Sequence, residues 1–163
     1  MKKIIRTLDF SIIISYNIYV TLKFMKEENN DLKFQYNEDE WVVLIGKQLR
    51  SSKNSKTFNS KTKRLFSTKL VIEYRKWVQP LLQSQRTKWD NMMKNKQYPI
   101  TLEIYLYRYT KRRADWCNLL QLLQDEMVKA GYILDDSIFH LTPVIKGFEI
   151  VPENKAGVIF KII

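Results

Sequence analysis

Hydrophobic and polar positions along the 163-residue chain follow two different periods, and each change of period marks an expected element. Trp41, Val42, Val43, Leu44 and Ile45 form a short continuous apolar run, the pattern of a buried strand. After Thr68, a predicted N-cap, the apolar positions Val71, Ile72, Trp77, Val78, Leu81 and Leu82 recur as one helix face. Helical character extends toward Met93, and Pro80 is expected to kink or split it. From Ile100 the period drops to two. Ile100, Leu102, Ile104 and Leu106 point one way and Thr101, Glu103, Tyr105 and Tyr107 the other, which predicts a strand with one face in the core. A second helix follows from Trp116, Leu119, Leu120, Leu123, Met127 and Ala130, with Asp115 at its N-cap and Gly131 as its stop. Asp135 and Asp136 then mark a turn, and strand-like residues 139–146 and 157–163 close the chain.

Elsewhere neither period holds. Residues 46–63 are rich in Ser, Lys, Asn and Thr, and predict a loop or a mobile hairpin. The acidic, Asn-rich residues 27–40 read as an exposed linker. Residues 10–20 are apolar, but Ser11, Ser15, Tyr16 and Asn17 interrupt them, Asp9 precedes them and no small-x-small cleavage site follows. They are too short and too polar to span a bilayer, so an accessory strand or loosely packed extension is expected, with Met25 as an alternative start. The organisation expected is an N-terminal extension over residues 1–40, an accessory strand or partly disordered, and one domain over residues 41–163. That domain is expected to be a compact single α/β unit, a mixed β-sheet flanked by helices. No internal repeat is evident.

Composition changes this picture through charge. Hydrophobic residues make up 45%, and four Gly and four Pro exclude wholesale disorder. The formal net charge of +11 is uneven: residues 47–76 carry Lys and Arg with Glu73 as the one acid, while acids cluster in residues 27–40 and 115–136. One surface should therefore attract a polyanion and another should attract cations, although general solubility accounts for a basic excess as well. One cysteine, Cys117, excludes a disulfide framework and a thiolate zinc cluster, and one histidine, His140, excludes His-rich metal sites. A reducing, cytoplasmic setting is expected, without membrane or small-molecule cofactor.

Helical spacing puts Asn118, Gln121 and Asp125 on one polar face, with Asp115 a turn before it. If the turn holding Asp135 and Asp136 folds back toward the N-terminus of that helix, the carboxylates converge and repel one another unless a hard divalent cation sits among them. Lys and Arg would then hold phosphates while the metal polarises the scissile bond. Each part also has an ordinary reading. Asp115 serves as a helix cap, Asp125 as a solvated helix residue, Asp135–Asp136 as turn formers, the basic residues 53–64 as a solvated loop, and His140 as a half-buried strand residue.

The series Arg112-Arg113-x-Asp115-x-x-Asn118, then Asp125, Gly131 and Asp135-Asp136, resembles in order and spacing the central pattern of the RusA-like Holliday junction resolvases. Ser52-Lys53-Asn54-Ser55-Lys56 resembles a segment of their phage-type members. The similarity covers residues 41–163. It implies a homodimeric α/β domain that binds four-way DNA junctions by shape and makes paired nicks with Mg²⁺, or Mn²⁺ in its place, in recombination and repair. By the resemblance, Asp115 and Asp136 match metal-binding aspartates and Asp125 and Asp135 match supporting acids, with Asp125 a further metal candidate. Lys111, Arg112 and Arg113 match the phosphate-binding run, joined as DNA-binding candidates by Lys53, Asn54, Lys56, Lys61, Lys63 and Arg64. Asn118 opens the catalytic helix. Two positions depart from the pattern: Cys117 replaces a second metal-binding aspartate and Gln121 a catalytic lysine. A thiol is a poor partner for Mg²⁺, so a catalytically impaired branched-DNA-binding protein stands as the alternative. A basic RNA-binding scaffold that uses its Tyr and Trp for stacking is a third reading.

Overall fold

The residues from Leu102 to Leu106 are buried on both faces, at the centre of the fold. The computed structural model describes residues 33–51 and 56–163; the expectations for residues 1–32 and for Lys53 and Asn54 lie outside the described residues. In chain order the elements are β1 (Val42–Ile45), β2 (Lys56–Asn59), β3 (Arg64–Ser67), α1 (Lys69–Ser84), α2 (Arg86–Met93), β4 (Ile100–Arg108), α3 (Trp116–Lys129), β5 (Leu141–Ile150) and β6 (Gly157–Ile162). Residues 36–163 form one compact α/β unit, a mixed sheet flanked by the three helices. Among the described residues its strand order is β1-β6-β4-β5, with β4 and β5 parallel and the other pairs antiparallel, and β2 and β3 make a separate two-stranded hairpin.

The position of β4 between β5 and β6 corrects the expectation of a half-buried strand. Tyr107 is as enclosed as the Leu and Ile side chains, and Tyr105 is nearly so. The Tyr107 ring lies 6.4 Å from that of Tyr36, and Tyr105 packs over Gly147, where a Cβ would come within 3.2 Å of its ring. Glu103, on the same face, is neutralised by Lys146 at 2.9 Å and Lys161 at 3.8 Å. Alternation in sequence reports the pleat correctly but not the cover that tertiary packing lays over the second face.

Among the described residues, the edge of β1 away from β6 is met by a side chain. Gln85, buried, accepts a hydrogen bond from the Val43 N–H and donates one to the Val43 carbonyl, both at 2.9 Å, as a neighbouring strand would. This also explains where the helical segment breaks. Pro80 lies inside α1, and the chain leaves helical geometry five residues later at Gln85 (φ −104°, ψ 11°), the residue bonded to β1. Thr68 takes the N-cap position in extended geometry, but its hydroxyl is buried and makes no capping bond.

Trp89 fastens α2 to the segment after α3. Its indole N–H donates to the Tyr132 carbonyl at 2.7 Å, the two rings stack at 4.7 Å, and the Tyr132 hydroxyl donates to the Leu82 carbonyl. Gly131, in the left-handed region at φ 72°, ends α3 as its sequence position predicts. Among the described residues no helix is long and apolar enough to cross a membrane.

Candidate nucleic-acid interface and acidic site

Helix α3 and the loops at its two ends carry most of the described candidate residues. The β4–α3 loop holds Lys111, Arg112 and Arg113, all exposed. It is folded over by Arg108, whose Nη2 donates to the Arg112 carbonyl at 2.7 Å, and by Thr110, whose hydroxyl accepts from the Arg112 N–H. These basic side chains line a cleft of about 410 Å³ whose other wall is Trp116 with Phe148, their rings meeting edge to face at 5.8 Å. Cationic groups beside a half-buried Trp and an exposed Phe make a surface suited to a chain of phosphates and bases.

Asp115 opens α3, and its carboxylate is engaged locally. Oδ1 accepts from the Cys117 N–H at 3.0 Å and Oδ2 from the Asn118 side-chain amide at 3.2 Å. Cys117 and Gln121 are exposed and Asn118 is half-buried along the helix. Asp125 lies further down, where burial raises its pKa and the nearby Asp136 and Glu126 charges add to the rise, against Lys129 and Arg75, which lower it. Asp136 thus acts on Asp125, in the second half of α3, rather than on Asp115 at its start. Asp135 is turned to its own loop: a hydrogen bond from Ser137 and one from the Asp136 N–H hold its carboxyl below the usual range. His140 joins this turn, with Nδ1 3.0 Å from the Ser137 hydroxyl and 4.0 Å from Asp135 Oδ2.

Glu126 is not among the residues that the sequence singles out, although it is the most buried acid of the helix. Its carboxylate takes Lys129 Nζ and Gln79 Nε2 at 2.7 Å each, and Arg75 Nε at 3.1 Å outside hydrogen-bond alignment. Arg75 thereby comes within 3.8 Å of Asp125. The signal lies in the spacing, since Glu126 falls three or four positions from Leu122 and Leu123 and seven from Leu119, in phase with the core rather than with the solvent face. Arg108 and Arg75 carry no such mark.

The implied Mg²⁺ is met only in part by these positions. Carboxylates are the right donors for a hard cation, yet among the described residues no group of three or more His, Cys, Asp or Glu side chains is disposed to hold one. Asp115 and Asp125 are ten residues apart on one helix. At about 1.5 Å rise per residue that is roughly 15 Å, too far for both to bind one ion at bond lengths of about 2.0–2.1 Å. The described residues do not fit a ready-made Mg²⁺ site: Asp115 lies next to the cationic loop, and Asp125 lies further along the helix.

The hairpin places the remaining basic candidates in solvent: Lys56 on β2, Lys61 and Lys63 in the turn and Arg64 at the start of β3. Neither a scan against protein-family models nor a search of curated proteins finds a match to this chain.

Proposed function

We propose that this protein binds branched DNA as a homodimer and acts on it as a structure-selective endodeoxyribonuclease of the RusA-like kind, resolving four-way junctions in recombination and repair. The observation that carries the reading is the sharing of one helix by two opposite chemistries. Lys111, Arg112 and Arg113 precede the start of α3 as an exposed cationic run, and the Asp125–Asp136 pair lies toward its other end. The first suits phosphate binding. The second supplies carboxylates, the donor type that phosphodiester hydrolysis of this kind requires.

A second reading, binding without cutting, draws on three features of the same site. Asp115 is occupied as a cap, Cys117 stands in place of an oxygen ligand, and no three-ligand group is assembled among the described residues. Incubating the purified protein with a synthetic four-way junction and Mg²⁺ or Mn²⁺ separates the two. Paired nicks at the branch point, abolished by Asp136→Asn, are expected. Junction binding without nicks under either metal would establish the second reading. A large gain of cutting in the Cys117→Asp, Gln121→Lys double variant would mark the present site as a weakened one. Absence of any preference for junction over linear DNA would sink both.

A further inference from the structure

The β2–β3 hairpin stands apart from the main sheet and keeps its large apolar side chains in solvent. Phe58 is 61% exposed, Leu65 63% and Phe66 48%. Register puts Phe58 opposite Leu65 and Thr57 opposite Phe66, so the apolar groups emerge from both faces of the ribbon. A hairpin made to pack on its own domain would gather them on one face and bury that face. Around them Lys56, Lys61, Lys63 and Arg64 are exposed, and residues 56–67 contain no acid. The turn is polar and charged at its tip, from Ser60 to Lys63, while the apolar residues sit behind it on the strands.

From this we infer that the hairpin is a wedge for the branch point of a DNA junction: its basic tip reaches phosphates and its strand side chains, Phe58 and Phe66 foremost, pack against base pairs left open at the branch. The inference rests on the branched-DNA reading above and adds to it how the branch is told from plain duplex. Nucleic acid is the polyanion whose charged backbone encloses flat apolar surfaces, which matches cationic and apolar groups interleaved on a thin ribbon. A membrane surface would be served by apolar residues at the tip, where this hairpin has Ser60, Lys61, Thr62 and Lys63. Inserting a side chain between stacked pairs of an intact duplex costs the stacking of that step, whereas a branch point offers unstacked faces already. The apolar contribution is therefore selective for the branch and the basic contribution is common to both.

The test uses the full chain with a four-way junction and a linear duplex of equal length, read by fluorescence anisotropy, with 2-aminopurine at the branch point as a second probe. Phe58→Ser with Phe66→Ser is expected to weaken junction binding about ten-fold and to leave duplex binding unchanged. The same double variant should abolish the 2-aminopurine response that the wild type gives. Replacing Lys61, Lys63 and Arg64 with Gln should weaken both DNAs alike. Because the Phe residues are exposed, circular dichroism of the double variant should match the wild type. If the wild type prefers junctions and the Phe variant prefers them equally, the wedge is overturned while the branched-DNA reading stands. A wild type that prefers neither overturns both. Capture on anionic phospholipid vesicles in preference to DNA, lost in the Phe variant, would overturn the wedge in favour of a lipid surface.

Discussion

Asp115 shows how one carboxylate serves structure whatever else it does. Its two bonds to the first turn of α3 satisfy a helix-end N–H and order the Asn118 amide. Asp115→Ala should cost about 1 kcal/mol in urea unfolding, and Asp115→Asn, which retains a capping oxygen, much less. The Asn variant therefore separates capping from catalysis, and on the nuclease reading it folds normally and does not cut. Asp125 carries the opposite lesson, since burial first and then Asp136 and Glu126 raise its pKa above the ordinary aspartate value. The folded state holds that proton more tightly than the unfolded chain does. Its contribution to stability is complete below the unfolded pKa and is lost as pH rises through the raised folded value. Asp125→Asn should remove this fall, which unfolding midpoints of the two proteins across that acidic range will reveal. A wild type that gains stability relative to the variant over the same rise would contradict the sign.

At the level of elements, the boundary between α1 and α2 and the edge of β1 are one problem solved by one residue. Gln85 ends the first helix and at the same time supplies β1 with the hydrogen bonds of a missing neighbour. Gln85→Ala strands both polar groups of Val43 in a buried setting, each worth about 1–3 kcal/mol. A loss of about 2–3 kcal/mol is expected in urea unfolding, together with faster hydrogen exchange at the Val43 amide. Unchanged exchange there would show that another group closes the edge. The opposite edge strand, β5, leaves Val144, Phe148 and Ile150 exposed, and Phe148 contributes to the wall of the basic cleft. Phe148 and Ile150 thus line one cleft with the loop that precedes α3.

For the molecule as a whole, the net charge of +11 matters through its placement. Two separate basic elements, the hairpin and the β4–α3 loop, present exposed Lys and Arg, and a polyanion that bridges them releases counterions at both. On the proposed DNA-binding reading, affinity for linear duplex DNA should therefore fall steeply with salt. Replacing Lys111, Arg112 and Arg113 with Gln should flatten the log–log slope by about 0.9 for each phosphate that is no longer neutralised. Anisotropy titrations over a salt series measure this directly, and an unaltered slope would remove the loop from the interface.

Much of this architecture is written locally in the chain. The period of two over β4, the period of 3.6 over α3, its Asp cap and its glycine stop need only neighbours a few residues away, so they can be read without coordinates. The exposed cationic run and the acid-bearing turn are legible for the same reason. What depends on distant partners is not. The burial of Tyr105 and Tyr107, the break at Gln85 in place of Pro80, and the clasp of Arg75 on Glu126 arise from residues far apart in sequence. The acidic site divides along this line. The types and spacing of its residues can be read from the chain, whereas the electrostatic influence of Asp136 on Asp125 and the commitment of Asp115 to its own helix can be judged only in three dimensions. A residue's type and spacing fix which bonds it is able to make. Folding decides which of them it does make, because each carboxylate or amide is claimed by whichever partners the packed chain brings within reach.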